Sequence, residues 1–272
     1  LPEQVHRLTS FNGAGMTLQE QAVTLTNLLT FFYGDYGIPI VMGGQIAQRR
    51  IQNLFRGDAD ARDHLINLGV ALPGNKTAEM GERLYELASA DVITRYDNPA
   101  HFLSDLETGS LPSDFSQSWD TFLTEFGMRC PGEVDPATPR PKENPAQIFS
   151  QLKTMSLSIH QSASSRSYFE ESRAKREAAY QALYKIALKR GKRAAKTLEK
   201  LYQTWLALGG YRETPKHYII TVVDLFRRSV LEIAHRFVAD HRLDTPQQIF
   251  DLTIADIDLA LADPHMNLRA LA

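Results

Sequence analysis

Residues 125–145 read "EFGMRCPGEVDPATPRPKENP" and separate two stretches of sequence that have the periodicity of α-helices. The segment contains five prolines. Because proline fixes the backbone angle φ and lowers the entropy lost on folding, we expect a stiff loop. Loops longer than about 12–15 residues are uncommon in compact domains and are usually functional or disordered. The segment therefore predicts a rigid, functional loop between two groups of helices.

Four charged side chains in this segment are candidates for a binding site. Arg129 and Arg140 carry planar guanidinium groups suited to a carboxylate or a phosphate. Glu133 and Asp135 carry carboxylates that could orient those groups or accept a proton. Alternatively, the four charges pair with one another and pin the loop, because ion pairs between neighbouring charges are common. The residue types leave both interpretations open.

Helical periodicity dominates the N-terminal side of the segment. In residues 16–32 the apolar positions alternate four and three apart, and Thr17 with Glu20 forms a predicted capping box. The stretch "YGDYGIPIVMGG" (33–44) breaks this pattern with four glycines and a proline, which predicts a turn and a new helix start. The neighbouring aromatic residues pack in the core or line a pocket for an apolar ligand; they are Phe31, Phe32, Tyr33 and Tyr36.

Two further helices are predicted before the proline-rich segment. One spans 75–88 and has Asn75 or Thr77 as its N-cap. The other spans 116–126 and is expected to end at Gly127 in the left-handed conformation. Both have apolar residues at helical spacing, so each should bury one face.

Helical periodicity also dominates the C-terminal side. The longest periodic run covers 168–208 and is either one helix or two helices joined at Gly191. Other helices are predicted near Pro145, through 222–237, and within 243–262, the last with Thr253 and Asp256 as a capping pair. Strand-like alternation is nowhere sustained. The sequence predicts an all-α fold with an N-terminal helical lobe, 1–145, and a C-terminal lobe, 146–272, or one continuous domain.

Composition excludes several classes of function. The 272 residues carry a net charge of −2, so no global field recruits nucleic acid or an anionic membrane. The basic stretch "KIALKRGKRAAKTLEK" (185–200) resembles a nucleic-acid patch, but nearby acidic residues and the lack of interleaved aromatics favour a solvated helix face. Cys130 is the sole cysteine, which excludes an intramolecular disulfide and fits a cytoplasmic protein. No metal site and no membrane span are predicted.

Three blocks of sequence resemble one known family. "FGMRCPGEVDPATPRPKENP" (126–145) resembles the pattern F/Y-G-H-R-G-P-G-E-x-D-x-x-x-P-R-W-x-E-x-P. Residues 211–257 open with "YRETPK" and resemble an R-E-x-P-K helix followed by a D-I-F-x-L-T segment. "LPGNKTAEMGERLYELA" (72–88) resembles an L-P-x-N-x-T-x-E-M stretch. Together they resemble the central helical region of phosphoenolpyruvate synthase-like phosphotransferases, the group that includes rifampicin phosphotransferase.

The resemblance implies a role within a larger enzyme. Such enzymes combine an ATP-grasp domain, a swivelling domain whose histidine carries the phosphoryl group, and a region that binds the acceptor. This chain resembles the helical region alone, and none of its eight histidines follows a T-x-G-G-x-x-x-H-type stretch. We therefore expect an acceptor-binding or linking domain of a pyruvate, water dikinase-like phosphotransferase that is inactive alone. With ATP and Mg²⁺ bound by the partner domains, phosphate would pass through a phosphohistidine to pyruvate or to a small-molecule hydroxyl.

The resemblance also implies seven substrate-binding residues. They are Arg129, Glu133, Asp135, Arg140, Arg212, Glu213 and Lys216. Arginines and a lysine near an acceptor would stabilise the charge spread over a transferring phosphoryl group. Arg212 and Lys216 lie four apart and would share a helix face if the helix begins before Pro215. Alternatively, Arg212 and Glu213 brace the proline-rich loop.

Three departures from the family pattern indicate other functions. Met128, Cys130 and Pro141 stand where the pattern has histidine, glycine and tryptophan. Without the histidine, the loop lacks a group that titrates near neutral pH. The chain therefore acts on a different acceptor or has lost activity. Its two alternative functions are a stand-alone, non-catalytic module that binds a small molecule and a structural spacer.

Overall fold

The computed structural model of the protein describes residues 2–161 and 168–271, and the regular structure within them is helical throughout. This confirms the predicted all-α class. The α-helices are α1 (Pro2–Thr9), α2 (Leu18–Thr30), α3 (Ile38–Leu54), α4 (Arg62–Asn67), α5 (Lys76–Ala88), α6 (Asp91–Thr94), α7 (Pro99–Glu107), α8 (Ser113–Phe126), α9 (Pro145–Gln161), α10 (Tyr168–Arg190), α11 (Lys192–Leu208), α12 (Thr214–Ala239) and α13 (Ile254–Ala262). A π-helix (Phe31–Gly37) and four 3-10 helices (Pro141–Glu143, Gly209–Glu213, Pro246–Asp251, Leu268–Ala270) complete the regular structure.

The described residues form two compact units that are each assembled from separate chain segments. The first unit draws on Leu1–Tyr36, Met128–Glu143 and Lys216–Ala272. The second unit draws on Gly37–Gly127 and Asn144–Pro215. The division into contiguous lobes at residue 145 stays a prediction.

Helices from both ends of the chain build the core of the first unit. Asp258 of α13 accepts hydrogen bonds from the backbone N–H groups of Leu18 (2.8 Å) and Gln19 (3.0 Å) at the start of α2. The predicted capping box of Thr17 and Glu20 is present at the same helix start. The buried residues that pack together are Leu18, Val230, Ile233, Ala234, Phe237, Leu243, Ile249, Ile257, Ala260 and Leu268.

The second unit contains two apolar clusters. One lies among α5 to α9, where Phe102 stacks on Phe149 with ring centroids 4.5 Å apart and contacts Trp119 edge-on. The other joins α3, α10 and α11 and contains Ile51, Leu183, Leu198 and Trp205 among others. The predicted inward faces of α5 and α8 are therefore confirmed.

Gly191 divides the long periodic run into α10 and α11. Its φ angle of 122° lies in a region that glycine adopts readily because it has no Cβ atom. Of the two alternatives that the sequence left open, the structure has two helices. The predicted starts near Pro145 and at Asn75, and the capping pair Thr253–Asp256, are also confirmed.

Two local predictions were wrong. Residues 33–44 form no turn, because the chain continues from the π-helix Phe31–Gly37 into α3, but the predicted new helix start is confirmed at Ile38. Pro39 is tolerated there because it lies in the first turn of α3, where its missing N–H is not needed. Gly127 ends α8 at φ −63° and ψ −10°, and its N–H still bonds to the Leu123 carbonyl. The helix thus ends without a left-handed residue.

Candidate functional site

The charged loop Met128–Glu143 belongs to the first unit and is organised around Glu133. Pro131 and Gly132 occupy the centre of a turn in which the Glu133 N–H bonds to the Cys130 carbonyl (3.3 Å). The φ angle of Gly132 is 76°, a conformation that favours glycine and that a type II turn requires at this position. The Pro-Gly pair therefore turns the chain so that the Glu133 side chain, 7% exposed, folds back over the loop.

Glu133 connects three hydrogen-bond donors. Its Oε2 atom accepts from Arg129 Nε and from the Cys130 backbone N–H, both at 2.9 Å. Its Oε1 atom lies 3.0 Å from Lys216 Nζ on α12. Burial would raise the pKa of Glu133, but the hydrogen bonds from Arg129 and Lys216 outweigh it and hold the pKa below the ordinary value. An ionised Glu133 thus holds two cations in fixed positions.

Arg140 is the most deeply buried cation of the loop, at 1% exposure. Its guanidinium donates to the Asp135 backbone carbonyl (3.2 Å) and contacts Cys130 Sγ (3.6 Å). Within residues 2–161 and 168–271 no carboxylate pairs with it. The Asp135 carboxylate instead accepts from the Ala137 N–H (2.8 Å) and stabilises the local turn. Of the four loop charges, Arg129 and Glu133 therefore form the one direct ion pair that the described residues show.

Helix α12 holds the second half of the loop, a contact that the sequence analysis missed. Arg227, 1% exposed, donates to both carboxylate oxygens of Glu143 (2.7 and 2.8 Å) and to the Pro136 carbonyl (2.6 Å). Burial would raise the pKa of Glu143, but Arg227 lowers it below the ordinary value. Lys142 pairs with Asp224 one turn earlier in the helix. The charged residues that interrupt the apolar pattern of α12 were the sequence signal that could have predicted this contact.

The two remaining predicted site residues lie in the second unit. Arg212 and Glu213 belong to the 3-10 helix Gly209–Glu213, and Arg212 Nε donates to Glu213 Oε1 (3.1 Å). The Arg212 side chain is 73% exposed. Helix α12 begins at Thr214, one residue before Pro215, and Arg212 precedes it in the 3-10 helix, so the shared helix face with Lys216 stays a prediction. Thr214 fixes this helix start by donating to the Gly74 carbonyl (2.9 Å).

A cavity of about 300 Å³ opens beside Arg212 within the second unit. It lies between α3, residues 69–78 and the chain leaving α11. Its walls combine apolar groups with the side-chain amides of Gln45, Gln48 and Asn75. The lining residues are Val41, Gly44, Gln45, Gln48, Gly69, Ala71, Leu72, Asn75, Ala78, Trp205, Leu208, Gly209, Gly210 and Arg212.

Glycines bring the backbones around this cavity into contact. A Cβ atom on Gly44 would lie 3.2 Å from the Leu208 carbonyl oxygen, and one on Gly210 would collide with the Pro73 carbonyl oxygen. Gly44 therefore allows α3 to approach the start of the 3-10 helix closely, and Gly210 allows residues 72–73 to approach the same 3-10 helix. The cavity was not predicted, although the two glycine pairs were visible in the sequence.

Other candidate features have simpler roles. Phe32 and Tyr36 are buried in the first unit, where Phe32 stacks on Tyr218 at 4.4 Å, whereas Tyr33 is exposed. In the described residues, no group of three or more His, Cys, Asp or Glu side chains could hold a metal ion. None of the helices in this same part of the chain is long and apolar enough to cross a membrane.

Comparison with known proteins identifies related sequences. Residues 36–213 match the family model described as the rifampicin phosphotransferase fourth domain. The chain is 25% identical to the rifampicin phosphotransferase of Bacillus cereus over 246 residues, which cover 86% of this chain and 28% of that protein. It is 26% identical to that of Streptomyces sviceus over 210 residues, 74% of this chain and 24% of that protein. The Bacillus subtilis protein is 22% identical over 215 residues, with coverages of 75% and 24%.

These comparisons also show how the length of the chain compares with that of its relatives. It spans about a quarter of the length of the curated relatives that it matches. All residues that line the 300 Å³ cavity, including Arg212, fall inside the matched range 36–213.

Proposed function

The chain belongs to the rifampicin phosphotransferase fourth-domain family, and we propose that it is the acceptor-binding helical domain of an ATP-dependent phosphotransferase. The observation that carries this proposal is the cavity beside Arg212, which lies wholly within the family match. In the proposed reaction, phosphate from ATP reaches a histidine on another domain and is then transferred to a hydroxyl group of the acceptor. ATP, Mg²⁺ and the phosphohistidine belong to those partner domains in this proposal, and the cytoplasm is the proposed location.

The chemistry of the cavity favours a hydroxylated small molecule over pyruvate as acceptor. Ligand pockets typically measure roughly 300–1,000 Å³, so a 300 Å³ cavity suits a small organic molecule and greatly exceeds pyruvate. Trp205 and Leu72 offer apolar contact, while Gln45 and Gln48 offer hydrogen bonds to hydroxyl groups. Arg212 at the edge carries the positive charge that a transferring phosphoryl group needs.

The charged loop contributes a second set of cations to the proposal. Glu133 fixes Arg129 and Lys216, and such preorganised donors stabilise developing charge without reorganising during the reaction. We propose Arg129, Arg140, Arg212 and Lys216 as phosphoryl-binding groups, and Glu133, Asp135 and Glu213 as the residues that orient them. A non-catalytic binding module is the alternative that the buried Met128, in place of a titratable histidine, favours.

Replacing Arg212 in the full-length phosphotransferase tests the proposal. With ³²P-labelled ATP, we expect Arg212→Ala to form the phosphohistidine normally but to transfer phosphate to a hydroxylated acceptor at least 100-fold more slowly. Arg212→Lys should recover part of this loss, because lysine keeps the charge but lacks the planar fork. The exposed Arg193→Ala serves as control. Transfer at the wild-type rate by Arg212→Ala would refute the assigned role.

A further inference from the structure

A second opening adjoins the cavity within the second unit. This groove measures about 540 Å³ and runs between the C-terminal half of α3, residues 55–59 and α4. Gln48 and Gly69 line both openings. The cavity and the groove therefore adjoin at these two residues.

Helix α3 sets the length of the combined cleft. Gly44, Gln48 and Gln52 lie four apart and so share one face of the helix. At 1.5 Å rise per residue, the distance along α3 from Gly44 to Gln52 is about 12 Å. This length fits two linked aromatic rings better than one.

The two ends of the cleft differ in chemistry. The cavity end presents Trp205, Leu208 and amide side chains, whereas the groove end presents Arg56 and Arg62. Arg56 donates to the Asn53 amide oxygen (2.7 Å), and across residues 2–161 and 168–271 no carboxylate pairs with either arginine. The one acidic residue of the groove lining, Asp58, is already paired with Arg190. The groove end therefore carries uncompensated positive charge.

We propose that the cavity and groove bind one elongated aromatic acceptor whose far end carries a carboxylate. Its hydroxyl-bearing ring would lie against Trp205 near Arg212, and its carboxylate would lie between Arg56 and Arg62. The assignment of the hydroxyl end rests on the proposed function, whereas the anionic end rests on the groove alone. The substrate class is thus a hydroxylated aryl carboxylic acid with two linked rings.

Gly69 lies where the cavity and the groove adjoin. A Cβ atom there would meet its nearest neighbours, the Ile66 carbonyl oxygen and Trp205 Cζ2, at 3.8 and 4.0 Å, which are ordinary contact distances. A larger side chain at Gly69 therefore fits the local backbone and would extend into the space where the two openings adjoin. This position offers a way to divide the cleft without removing a lining group.

Two matched probes test the anionic end. Titration calorimetry of the 272-residue chain would compare 4′-hydroxybiphenyl-4-carboxylate with 4-phenylphenol, which lacks the carboxylate. We expect the carboxylate probe to bind about tenfold more tightly than 4-phenylphenol, because it can form one additional charge-assisted hydrogen bond. Arg56→Ala with Arg62→Ala should abolish this preference. Arg49→Ala with Arg50→Ala, which removes two exposed arginines of α3 that lie outside both linings, should retain it.

A larger side chain at Gly69 tests whether one ligand spans both openings. We expect Gly69→Leu to weaken binding of the carboxylate probe at least tenfold, while the exposed Ala178→Leu changes nothing. Circular dichroism would verify that both variants fold. Unchanged binding by Gly69→Leu, or no binding of either probe to the wild-type chain, would refute the proposal that one ligand occupies both openings.

The outcomes distinguish this inference from the proposed function. Equal affinity for the two probes would overturn the carboxylate end and leave the acceptor cavity standing. A retained carboxylate preference, combined with no phosphate transfer to any hydroxylated acceptor by the full-length protein, would overturn the proposed function and keep the cleft as a binding site.

Discussion

Glu133 receives three hydrogen bonds because Pro131 and Gly132 turn the chain immediately before it. The sequence predicted a stiff, charged loop at this position, because its prolines and charged residues are features of local composition. It did not predict that Lys216 and Arg227 reach the loop from α12, because partners distant along the chain leave no local pattern. The substrate-binding role of the seven predicted residues stays a prediction.

At the residue scale we expect the stability to depend on Glu133 and on pH. The pKa of Glu133 is lowered in the folded protein, so its contribution is present above the ordinary value of 4.5 and is lost as the pH falls through the folded pKa. Glu133→Gln should lower the free energy of unfolding by about 3 kcal/mol at pH 7, because it leaves the buried Arg129 guanidinium without its carboxylate partner.

Urea unfolding followed by circular dichroism between pH 3 and pH 7 would measure this effect. The loss of stability on acidification should be shallower in Glu133→Gln than in the wild type. The exposed Glu107→Gln should stay within about 0.5 kcal/mol of the wild type. Parallel pH curves for Glu133→Gln and the wild type would contradict the assignment.

Among the elements, α3 and the 3-10 helix Gly209–Glu213 define the cavity by their close approach. Sequence periodicity identified most helices and their buried faces, because apolar spacing is a local signal. It failed at the π-helix Phe31–Gly37. The glycines there suggested a turn, but neither end of the π-helix requires a residue in the left-handed conformation. It also left the cavity unpredicted, because the meeting of two distant glycine pairs is a tertiary contact.

At this scale we expect Gly210→Ala to destabilise the protein. Its new methyl group would collide with the Pro73 carbonyl oxygen, and overpacking of this kind lowers the free energy of unfolding by about 1–3 kcal/mol. Gly34→Ala is the matched control, since a Cβ atom there meets nothing within 4 Å. Thermal unfolding of both variants would measure the difference, and equal melting temperatures would refute the tight contact.

For the whole molecule, the two units differ in which apolar clusters they contain and in whether they contain tryptophan. Both tryptophans, Trp119 and Trp205, lie in the second unit. The apolar cluster around Ile257 lies in the first. The sequence indicated two groups of helices, but it could not indicate units built from separate segments, because that arrangement depends on long-range contacts.

At this largest scale we expect Ile257→Ala to affect the two units unequally. Loss of the buried side chain should lower the stability of the first unit by about 3 kcal/mol. The unfolding midpoint seen by circular dichroism should therefore fall more than that seen by tryptophan fluorescence. Leu259→Ala, an exposed position of the same helix, should shift neither midpoint. Equal shifts of both midpoints in Ile257→Ala would show that the two units unfold together.

The hydrogen bonds from Leu18 and Gln19 to Asp258 have a consequence for synthesis on the ribosome. The carboxylate that caps α2 follows Leu18 by 240 residues. At about 5–20 residues per second, Leu18 is translated roughly 12–48 s before Asp258. The segments of the second unit are complete at Pro215, before most of α12 and all of α13 exist. During translation, the apolar face of α2 therefore stays unpaired until α12 and α13 have been synthesised. A chaperone that shields this face could bind it during that interval.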